Sequence, residues 1–159
     1  MNSPKPVHRV LFVCHGNICR STMAESVMKD LARRHGAADR FVIASAATST
    51  EEIGNDIHPG TKRALIRHDI PFEKRGARQL QRGEIDAWDL FIGMDEENMR
   101  GIKRILGPSA ACKAHKLLEF CGRTDDVADP WYTGDFETTY RDVFDGCAGL
   151  LENLLERNA

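Results

Sequence analysis

The sequence predicts an α/β domain in which helices cover a parallel β-sheet. Three observations support this fold class. Short apolar runs alternate along the chain with segments whose apolar residues recur at helical spacing. The first run, residues 10–13, has the unbroken apolar composition of a strand that is buried on both faces. At 159 residues, the chain is also long enough for one domain with a full core.

Four strands and four helices are predicted in alternation. The apolar runs predicted as strands are 10–13, 41–44, 88–94 and 116–120. The segments with helical periodicity are 22–35, 59–67, 96–105 and 136–154. Residues 45–58 and 122–134 are rich in polar and turn-forming residues and are predicted as loops. Strands that alternate with helices in this way are joined by right-handed crossovers, so the sheet is expected to be parallel.

Capping residues indicate where the helices begin. Thr22 followed by Glu25 has the spacing of a capping box, so the first helix is expected to start there. Asp135 has the character of a cap for the last helix. Residues 1–8 contain two prolines and are predicted as a disordered tail, which leaves residues 9–159 as a single domain.

The overall charge and the cysteine content limit the class of partner. The formal net charge is −2 with both signs interspersed, which argues against nucleic acid or an anionic membrane as the main partner. No apolar run approaches the length of a membrane span, and the start lacks a signal-peptide core. Five cysteines, an odd number, are typical of a reducing cytoplasm. We therefore expect a cytoplasmic protein, monomeric or weakly self-associating, with no nucleic acid and no membrane partner.

The segment of greatest chemical interest joins the first strand to the first helix. Residues 14–21 are Cys-His-Gly-Asn-Ile-Cys-Arg-Ser and lie between the carboxyl end of a strand and the amino end of a helix. Anions bind at this place in α/β sheets, because free N–H groups and the positive end of a helix dipole face it. Gly16 and Asn17 tolerate the unusual backbone angles that such a loop needs. The segment is not a nucleotide-binding P-loop, since no Gly-Lys-Ser/Thr ends it.

Cys14 is the predicted nucleophile, and Arg20 is the predicted phosphate ligand. The helix dipole and the arginine favour the thiolate, since cysteines at comparable sites have pKa values of roughly 3.5–7.5 against about 8.5 for a free cysteine. The loop can hold a tetrahedral anion while Arg20 contacts two of its oxygens, which is the geometry for in-line phosphoryl transfer to sulfur. The alternative is a buried cysteine and an unrelated surface arginine. It is disfavoured because Cys14 alone has an arginine six positions on at a strand–helix junction.

A proton donor is expected in the loop before the last helix. Expulsion of a phenolate or alkoxide from phosphorus is accelerated by a general acid, typically ~10²–10⁴-fold. That loop holds Asp125, Asp126 and Asp129, and it emerges at the same sheet edge as Cys14. The residues alone leave the choice among the three open, although Pro130 biases Asp129 towards an extended backbone.

Two motifs resemble those of the low-molecular-weight protein tyrosine phosphatases. They are Val-Cys-His-Gly-Asn-Ile-Cys-Arg-Ser-Thr at 13–22 and Asp-Pro-Trp-Tyr at 129–132. Shorter matches follow the same order at 45–50, 77–79, 94–96 and 135–138, so the resemblance covers nearly the whole chain. It implies a three-layer, flavodoxin-like fold with a four-stranded sheet. It also implies hydrolysis of phosphotyrosine proteins or small aryl phosphates through a phosphocysteine, with Asp129 as general acid and then base.

The resemblance also assigns supporting residues. Asn17 and Ser45 match positions that hold the loop in its strained form, and Arg78 and Asp95 match structural positions near that network. Ser21 is placed to donate a hydrogen bond to the Cys14 thiolate; the alternative is an ordinary serine at a helix start. The other loop positions expected around the phosphate are His15, Gly16, Ile18 and Cys19.

Trp131 and Tyr132 are predicted to form a wall for the substrate ring. Two adjacent aromatics on a polar loop cannot both be buried by strand or helix periodicity, so at least one is expected to be exposed. Their alternative is packing onto the loop itself. Two positions depart from the family pattern: Arg75 stands where histidine is common, and Glu51 where a bulky apolar residue is common. We therefore expect an altered support network and an acidic cleft wall with a changed peptide preference.

Cys19 lies in the same short loop as Cys14, which suggests a reversible protective disulfide on mild oxidation; the alternative is a buried thiol. No metal and no cofactor are expected, because the cysteines and histidine of the loop lack a second ligand pair at matching spacing. Four further histidines form no constellation and are expected at the surface: His35, His58, His68 and His115.

Three other functions are compared with a phosphotyrosine phosphatase. An arsenate reductase of this fold needs a close pair of redox cysteines after the third strand, whereas Cys112 and Cys121 lie elsewhere. A protein arginine phosphatase of this fold typically has threonine at the position of Ile18. A non-catalytic phosphotyrosine-binding module would not need the nucleophile, the arginine and the acid together.

Overall fold

A computed structural model describes residues 5–157 of the chain. Its four strands are β1 (His8–Cys14), β2 (Phe41–Ala47), β3 (Leu90–Gly93) and β4 (Ala114–Lys116). They form one sheet in the order β2-β1-β3-β4, and every neighbouring pair is parallel. The predicted four-stranded parallel sheet is confirmed.

Five helices are connected to this sheet. They are α1 (Arg20–Arg34), α2 (Pro59–Arg67), α3 (Glu96–Leu106), α4 (Pro130–Thr133) and α5 (Phe136–Glu156). Short 3₁₀ turns occupy Ala38–Arg40, Arg82–Asp86, Pro108–Cys112 and Leu117–Cys121. Within residues 5–157, none of the helices has the length and apolar character that a membrane span requires.

The sheet separates two apolar cores, which gives the three predicted layers. Successive residues of β1 point to opposite faces of the sheet. Val10 and Phe12 belong to the core beneath α1 and α5, whereas Leu11 and Val13 pack with residues of α3 on the other face. All four side chains are fully buried, as the unbroken apolar run predicted.

The central position of β1 brings Cys14 to the middle of the carboxyl edge of the sheet. Cys14 pairs in register with Ala47, the last residue of β2. On its other side, Val13 pairs with Gly93, the last residue of β3. The segments that leave these three strands therefore begin side by side around the sulfur.

Several predicted element boundaries are wrong. The second strand, predicted as 41–44, extends to Ala47 and so into the predicted loop 45–58. The last predicted strand, 116–120, is displaced: β4 ends at Lys116, and residues 117–121 form a 3₁₀ turn. This turn lies against α5 so closely that a Cβ at Gly149 would be 2.1 Å from the carbonyl oxygen of Phe120. The predicted loop 122–134 contains α4. His8 is the first residue of β1 and pairs with Phe41 rather than belonging to the tail, of which residues 1–4 lie outside the described part.

The first helix begins at Arg20, so the predicted capping box at Thr22 is wrong as well. The hydroxyl of Thr22 donates to the carbonyl of Cys19 (2.9 Å), and no side chain caps the helix. The carboxylate of Glu25 accepts a hydrogen bond from Ser45 instead (2.6 Å). The first N–H groups of α1 therefore face the loop, where an anion can accept from them.

Candidate active site

The loop between β1 and α1 has the form of an anion-binding loop. Asn17 is fully buried and has φ = 58°, in the left-handed region that asparagine tolerates better than most residues. Its N–H donates to Sγ of Cys14 (3.3 Å). The backbone N–H groups of Gly16, Ile18 and Cys19 donate to no other group within residues 5–157. They remain free for the oxygens of a tetrahedral anion.

Ser21 lies beside the sulfur. Its Oγ is 3.1 Å from Sγ of Cys14, and both residues are buried. The same oxygen accepts a hydrogen bond from Nδ2 of Asn17 (2.9 Å). Because its acceptor side is occupied in this way, the hydroxyl hydrogen of Ser21 can be directed at a thiolate on Cys14.

Asn17 is the centre of a hydrogen-bond network that holds the loop. Its Nδ2 also donates to Oγ of Ser45 (2.9 Å), which in turn donates to Glu25. Its Oδ1 accepts from the backbone N–H of Arg78 (3.2 Å) and from the guanidinium of Arg75. A buried amide whose donors and acceptors are all satisfied has one orientation, so the bend at Asn17 is fixed from both sides.

Arg78 contributes its backbone N–H to this network. Its guanidinium makes two hydrogen bonds to the carboxylate of Glu84 (2.9 and 3.1 Å). The guanidinium that reaches Asn17 is that of Arg75, which also donates to the carbonyl of Asn55 (3.2 Å). Burial lowers the pKa of Arg75, but an arginine remains charged at physiological pH. Arg75 therefore supports the loop with a group that stays charged.

Arg20 is held beneath the loop by groups from two other segments. Its side chain is 3% exposed, and its Nη1 donates to Asp95 (2.7 Å) and to the carbonyl of Val127 (2.8 Å). Burial by itself would lower the pKa of Arg20, but the Cys14 sulfur, Asp95 and Asp129 together raise it. The guanidinium is therefore charged and oriented before a substrate arrives.

Asp129 lies closest to the site among the three candidate acids. One carboxylate oxygen accepts from the backbone N–H of Trp131 (3.0 Å), and the other is 3.4 Å from Nη2 of Arg20. Asp125 instead pairs with Arg123, and Asp126 pairs with Lys116. The structure thus brings Asp129 to the cysteine loop and leaves the other two acids in surface ion pairs.

These groups surround a cleft of about 110 Å³. Its lining consists of Cys14, His15, Gly16, Ile18, Cys19, Arg20, Glu51, Glu52, Asp129, Trp131 and Tyr132. Trp131 is 57% exposed and Tyr132 is 84% exposed, so both aromatics are accessible to a ligand. Glu51 lies at the mouth with its Oε2 3.0 Å from Nε2 of His15. All predicted substrate- and phosphate-binding residues border this cleft except Asn17 and Ser21, which lie beneath it.

His58, which was expected at the surface, is a neighbour of this site. Its ring stacks on Phe136 (centroids 5.2 Å apart) and meets the edge of Trp131 (5.6 Å). Its Nδ1 accepts from the N–H of Gly60 (2.9 Å) and so caps α2. The sequence did hold a signal for this role: His58 directly precedes Pro59, and the residue before a proline that starts a helix is the N-cap. His68 is also not a simple surface residue, since it stacks on Tyr140 (3.7 Å).

The cysteines fall into two environments. Cys14 and Cys19 line the same cleft and are not cross-linked. Burial, followed by the charge of Cys14, raises the pKa of Cys19 to about 12, so Cys19 is a neutral thiol at physiological pH. Cys112 and Cys121 do not line the cleft. Within residues 5–157, no three His, Cys, Asp or Glu side chains form a group that could hold a metal ion.

The chain matches a known protein family over most of its length. The sequence model of the low molecular weight phosphotyrosine protein phosphatases matches residues 9–159. The low molecular weight protein-tyrosine-phosphatase YfkJ of Bacillus subtilis is 39% identical over 147 residues, which cover 91% of this chain and 94% of that protein. PtpA of Staphylococcus saprophyticus is 37% identical over 148 residues, 92% of this chain and 94% of that protein.

Solved structures show the same relationship. The crystal structure of YfkJ superposes with a TM-score of 0.93 at 36% identity, covering 99% of this chain and 100% of that chain. A protein tyrosine phosphatase from Entamoeba histolytica, with Hepes in its active site, superposes with a TM-score of 0.88 at 26% identity. The match covers 96% of this chain and 99% of that chain. The chain belongs to the low molecular weight protein tyrosine phosphatase family and has its flavodoxin-like fold.

Proposed function

We propose that this enzyme hydrolyses phosphotyrosine in proteins, and small aryl phosphates, through a phosphocysteine formed on Cys14. One observation carries the proposal. The sulfur of Cys14, the guanidinium of Arg20 and the carboxylate of Asp129 line one cleft, above a loop whose N–H groups are free to bind phosphate. The relatives named as protein tyrosine phosphatases support the choice of substrate class.

The first step transfers the phosphoryl group to sulfur. The phosphate oxygens accept hydrogen bonds from the loop N–H groups and from Arg20, which neutralise the charge that develops on them. The thiolate of Cys14 attacks phosphorus as the bond to the phenolic oxygen breaks. Asp129, in its acid form, gives its proton to that oxygen, so the tyrosine hydroxyl leaves as a neutral group.

The second step returns the enzyme to its starting state. The carboxylate of Asp129 takes a proton from water, and the water oxygen attacks phosphorus while the S–P bond breaks. The departing thiolate accepts hydrogen bonds from the hydroxyl of Ser21 and the N–H of Asn17, which stabilise it as a leaving group. Phosphate then dissociates. Asp129 acts in opposite directions in the two steps, so it needs access to both substrate oxygen and water.

The walls of the cleft favour an aryl substrate. Trp131 and Tyr132 expose flat rings beside the phosphate site. The apolar side chain of Ile18 lies on the same lining, where a polar group would serve a guanidinium substrate better. The groups named here act without a cofactor. Weak self-association through the exposed rings stays a prediction.

The test is hydrolysis of phosphotyrosine, phosphoserine and phosphoarginine side by side, measured as released phosphate. Phosphotyrosine should be hydrolysed fastest by the native enzyme, and Cys14→Ser should abolish turnover of all three. Cys112→Ser is the matched control, because that thiol is exposed and lies outside the cleft. Faster release from phosphoarginine, or near-native turnover by Cys14→Ser, would contradict the proposal.

A further inference from the structure

We propose that two glutamates at the mouth of the cleft, Glu51 and Glu52, select phosphotyrosine segments that carry lysine or arginine next to the phosphotyrosine. This inference rests on the proposed function and specifies the chemistry of the peptide around the reacting group. It is carried by the position, the exposure and the charge of the side chains that a bound peptide would meet.

Both glutamates belong to the cleft lining, and each is held there by neighbouring groups. Glu51 is 69% exposed at its side chain, and its carboxylate is within hydrogen-bonding distance of His15 (3.0 Å). The stem of Glu52 lies over the phosphate-binding loop, since a Cβ at Gly16 would be 3.3 Å from its Cγ. The carboxylate of Glu52 accepts a hydrogen bond from Nδ2 of Asn55 (2.6 Å). The two negative charges are therefore positioned at the mouth rather than free to turn away.

The segment that carries these glutamates is attached to the cysteine loop. The N–H and the hydroxyl of Ser49 both donate to the carbonyl of His15 (3.1 and 2.9 Å). The backbone N–H of Glu51 approaches Oγ of Ser49 at 3.4 Å. The segment that carries the glutamates is thus fixed to the phosphate-binding loop, so a peptide whose phosphate is bound by the loop lies close to the glutamates.

The charges of the lining are separated by depth. The one arginine of the lining, Arg20, is buried and contacts Asp95 and Asp129. No other lysine or arginine of residues 5–157 borders the cleft, whereas Glu51 and Glu52 add two acids at its mouth. A bound phosphate therefore meets positive charge at the bottom, and the flanking peptide residues meet negative charge at the top. Basic flanking residues are attracted there, and acidic ones are repelled.

The expected selectivity is moderate because the glutamates are solvated. An exposed ion pair typically contributes about 0.2–1 kcal/mol, which corresponds to roughly 1.4- to 5-fold in affinity. Glu51 and Glu52 attract a flanking lysine and repel a flanking glutamate. We therefore expect kcat/KM to be on the order of 5- to 10-fold higher for a lysine-flanked peptide than for a glutamate-flanked one. Salt screens charges of this kind, so the preference should shrink as ionic strength rises.

The experiment uses three synthetic phosphotyrosine peptides that differ only in the residues flanking the phosphotyrosine: lysine, glutamine or glutamate. Free phosphotyrosine is assayed alongside them. The readout is the ratio of kcat/KM between the lysine and glutamate peptides, which does not depend on absolute activity. For the native enzyme at low salt this ratio should be about 5 to 10, and it should fall towards 1 at high salt.

Two double variants assign the ratio to these residues. Glu51→Gln with Glu52→Gln should bring the ratio close to 1. Asp39→Asn with Glu152→Gln is the matched control, because it removes the same two charges from exposed positions. Asp39 precedes the amino end of β2 and Glu152 lies near the end of α5, both away from the carboxyl edge of the sheet. The control should keep the native ratio.

A native ratio near 1 at low salt would overturn the inference, and so would a ratio that the Glu51 and Glu52 substitutions leave unchanged. A native ratio that does not respond to salt would also contradict it, and this measurement needs no variant to fold. If the enzyme hydrolyses neither free phosphotyrosine nor any of the peptides, the proposed function itself fails. Hydrolysis of all substrates without a charge preference refutes only the inference.

Discussion

The guanidinium of Arg75 donates a hydrogen bond to Oδ1 of Asn17, the residue whose left-handed backbone bends the phosphate-binding loop. The two residues are 58 positions apart in the sequence. The backbone N–H of Arg75 is itself held by the carboxylate of Asp56 (3.2 Å). Lys62, then the backbone N–H groups of Arg75 and Ile57, lower the pKa of Asp56 to about 2. The support beneath the loop thus consists of groups that keep their charge throughout physiological pH.

Arg75→Ala should impair catalysis although Arg75 does not line the cleft. A hydrogen bond to a charged group contributes about 1.5–3 kcal/mol, so kcat/KM for an aryl phosphate should fall roughly 10- to 150-fold. The inhibition constant of inorganic phosphate should rise in parallel, because the same loop binds it. Arg75→Lys keeps the positive charge but cannot contact Asn55 and Asn17 with two separate nitrogens. Its kcat/KM should therefore lie between those of the native enzyme and Arg75→Ala. The control is Arg104→Ala, because Arg104 is exposed on α3. Equal activity of all these variants would contradict a positioning role for Arg75.

Asn17→Gly and Asn17→Ala should separate the backbone bend from the side-chain network. Glycine adopts the positive φ of Asn17 without strain, whereas alanine in the left-handed region is disfavoured by about 1–2 kcal/mol. Both variants should lose most activity, and Asn17→Ala should melt at the lower temperature. The measurements are kcat/KM and thermal unfolding. Full activity in Asn17→Gly would show that the bend alone is sufficient.

Asp129→Ala should slow both chemical steps. We expect kcat to fall by about 10²–10³, within the range of general acid catalysis, with a smaller loss for aryl phosphates whose leaving group needs no proton. The enzyme should still form the phosphocysteine, detected by intact mass after rapid acid quenching. Asp125→Ala and Asp126→Ala are the matched controls, because their carboxylates pair with Arg123 and Lys116. If either control lost as much activity as Asp129→Ala, the assignment of the acid would be wrong.

Cys19 should resist alkylation in the folded enzyme. Its pKa of about 12 lies above the ordinary value, so the folded protein keeps this proton as the pH rises and the reactive thiolate stays scarce. Iodoacetamide at pH 8 should modify the nucleophile Cys14 and the exposed Cys112, and should leave Cys19 and the buried Cys147 unmodified until urea is added. Peptide mapping measures this. Labelling of Cys19 at the rate of Cys112 in native protein would contradict its burial.

Mild peroxide should link Cys14 to Cys19. Peroxide oxidises the Cys14 thiolate to a sulfenic acid and is itself reduced to water, after which the Cys19 sulfur displaces the hydroxyl group as water. The high pKa of Cys19 should make this second step slow relative to an ordinary thiol. Activity should return with dithiothreitol in native enzyme but not fully in Cys19→Ser. A peptide map of oxidised protein without a Cys14–Cys19 link would end the hypothesis.

The sequence by itself determined the class of fold and the centre of the site, because both depend on local information. Strand and helix periodicities are read within a few residues, and they alternate in the order that a parallel sheet requires. The nucleophile, the loop N–H groups and Arg20 also lie within one strand–loop–helix segment. Neighbours along the chain are there also neighbours in space, so their chemistry could be inferred before the fold was known.

Only the tertiary structure decided the relationships between distant segments. It placed Asp129 rather than Asp125 or Asp126 beside Arg20, and it brought Arg75 to Asn17. Residues 117–121 form a 3₁₀ turn where the sequence predicted a strand over 116–120, because α5 packs directly on that segment. Each outcome depends on a distance between residues far apart in the chain, and local propensity carries no information about such distances until the core has packed.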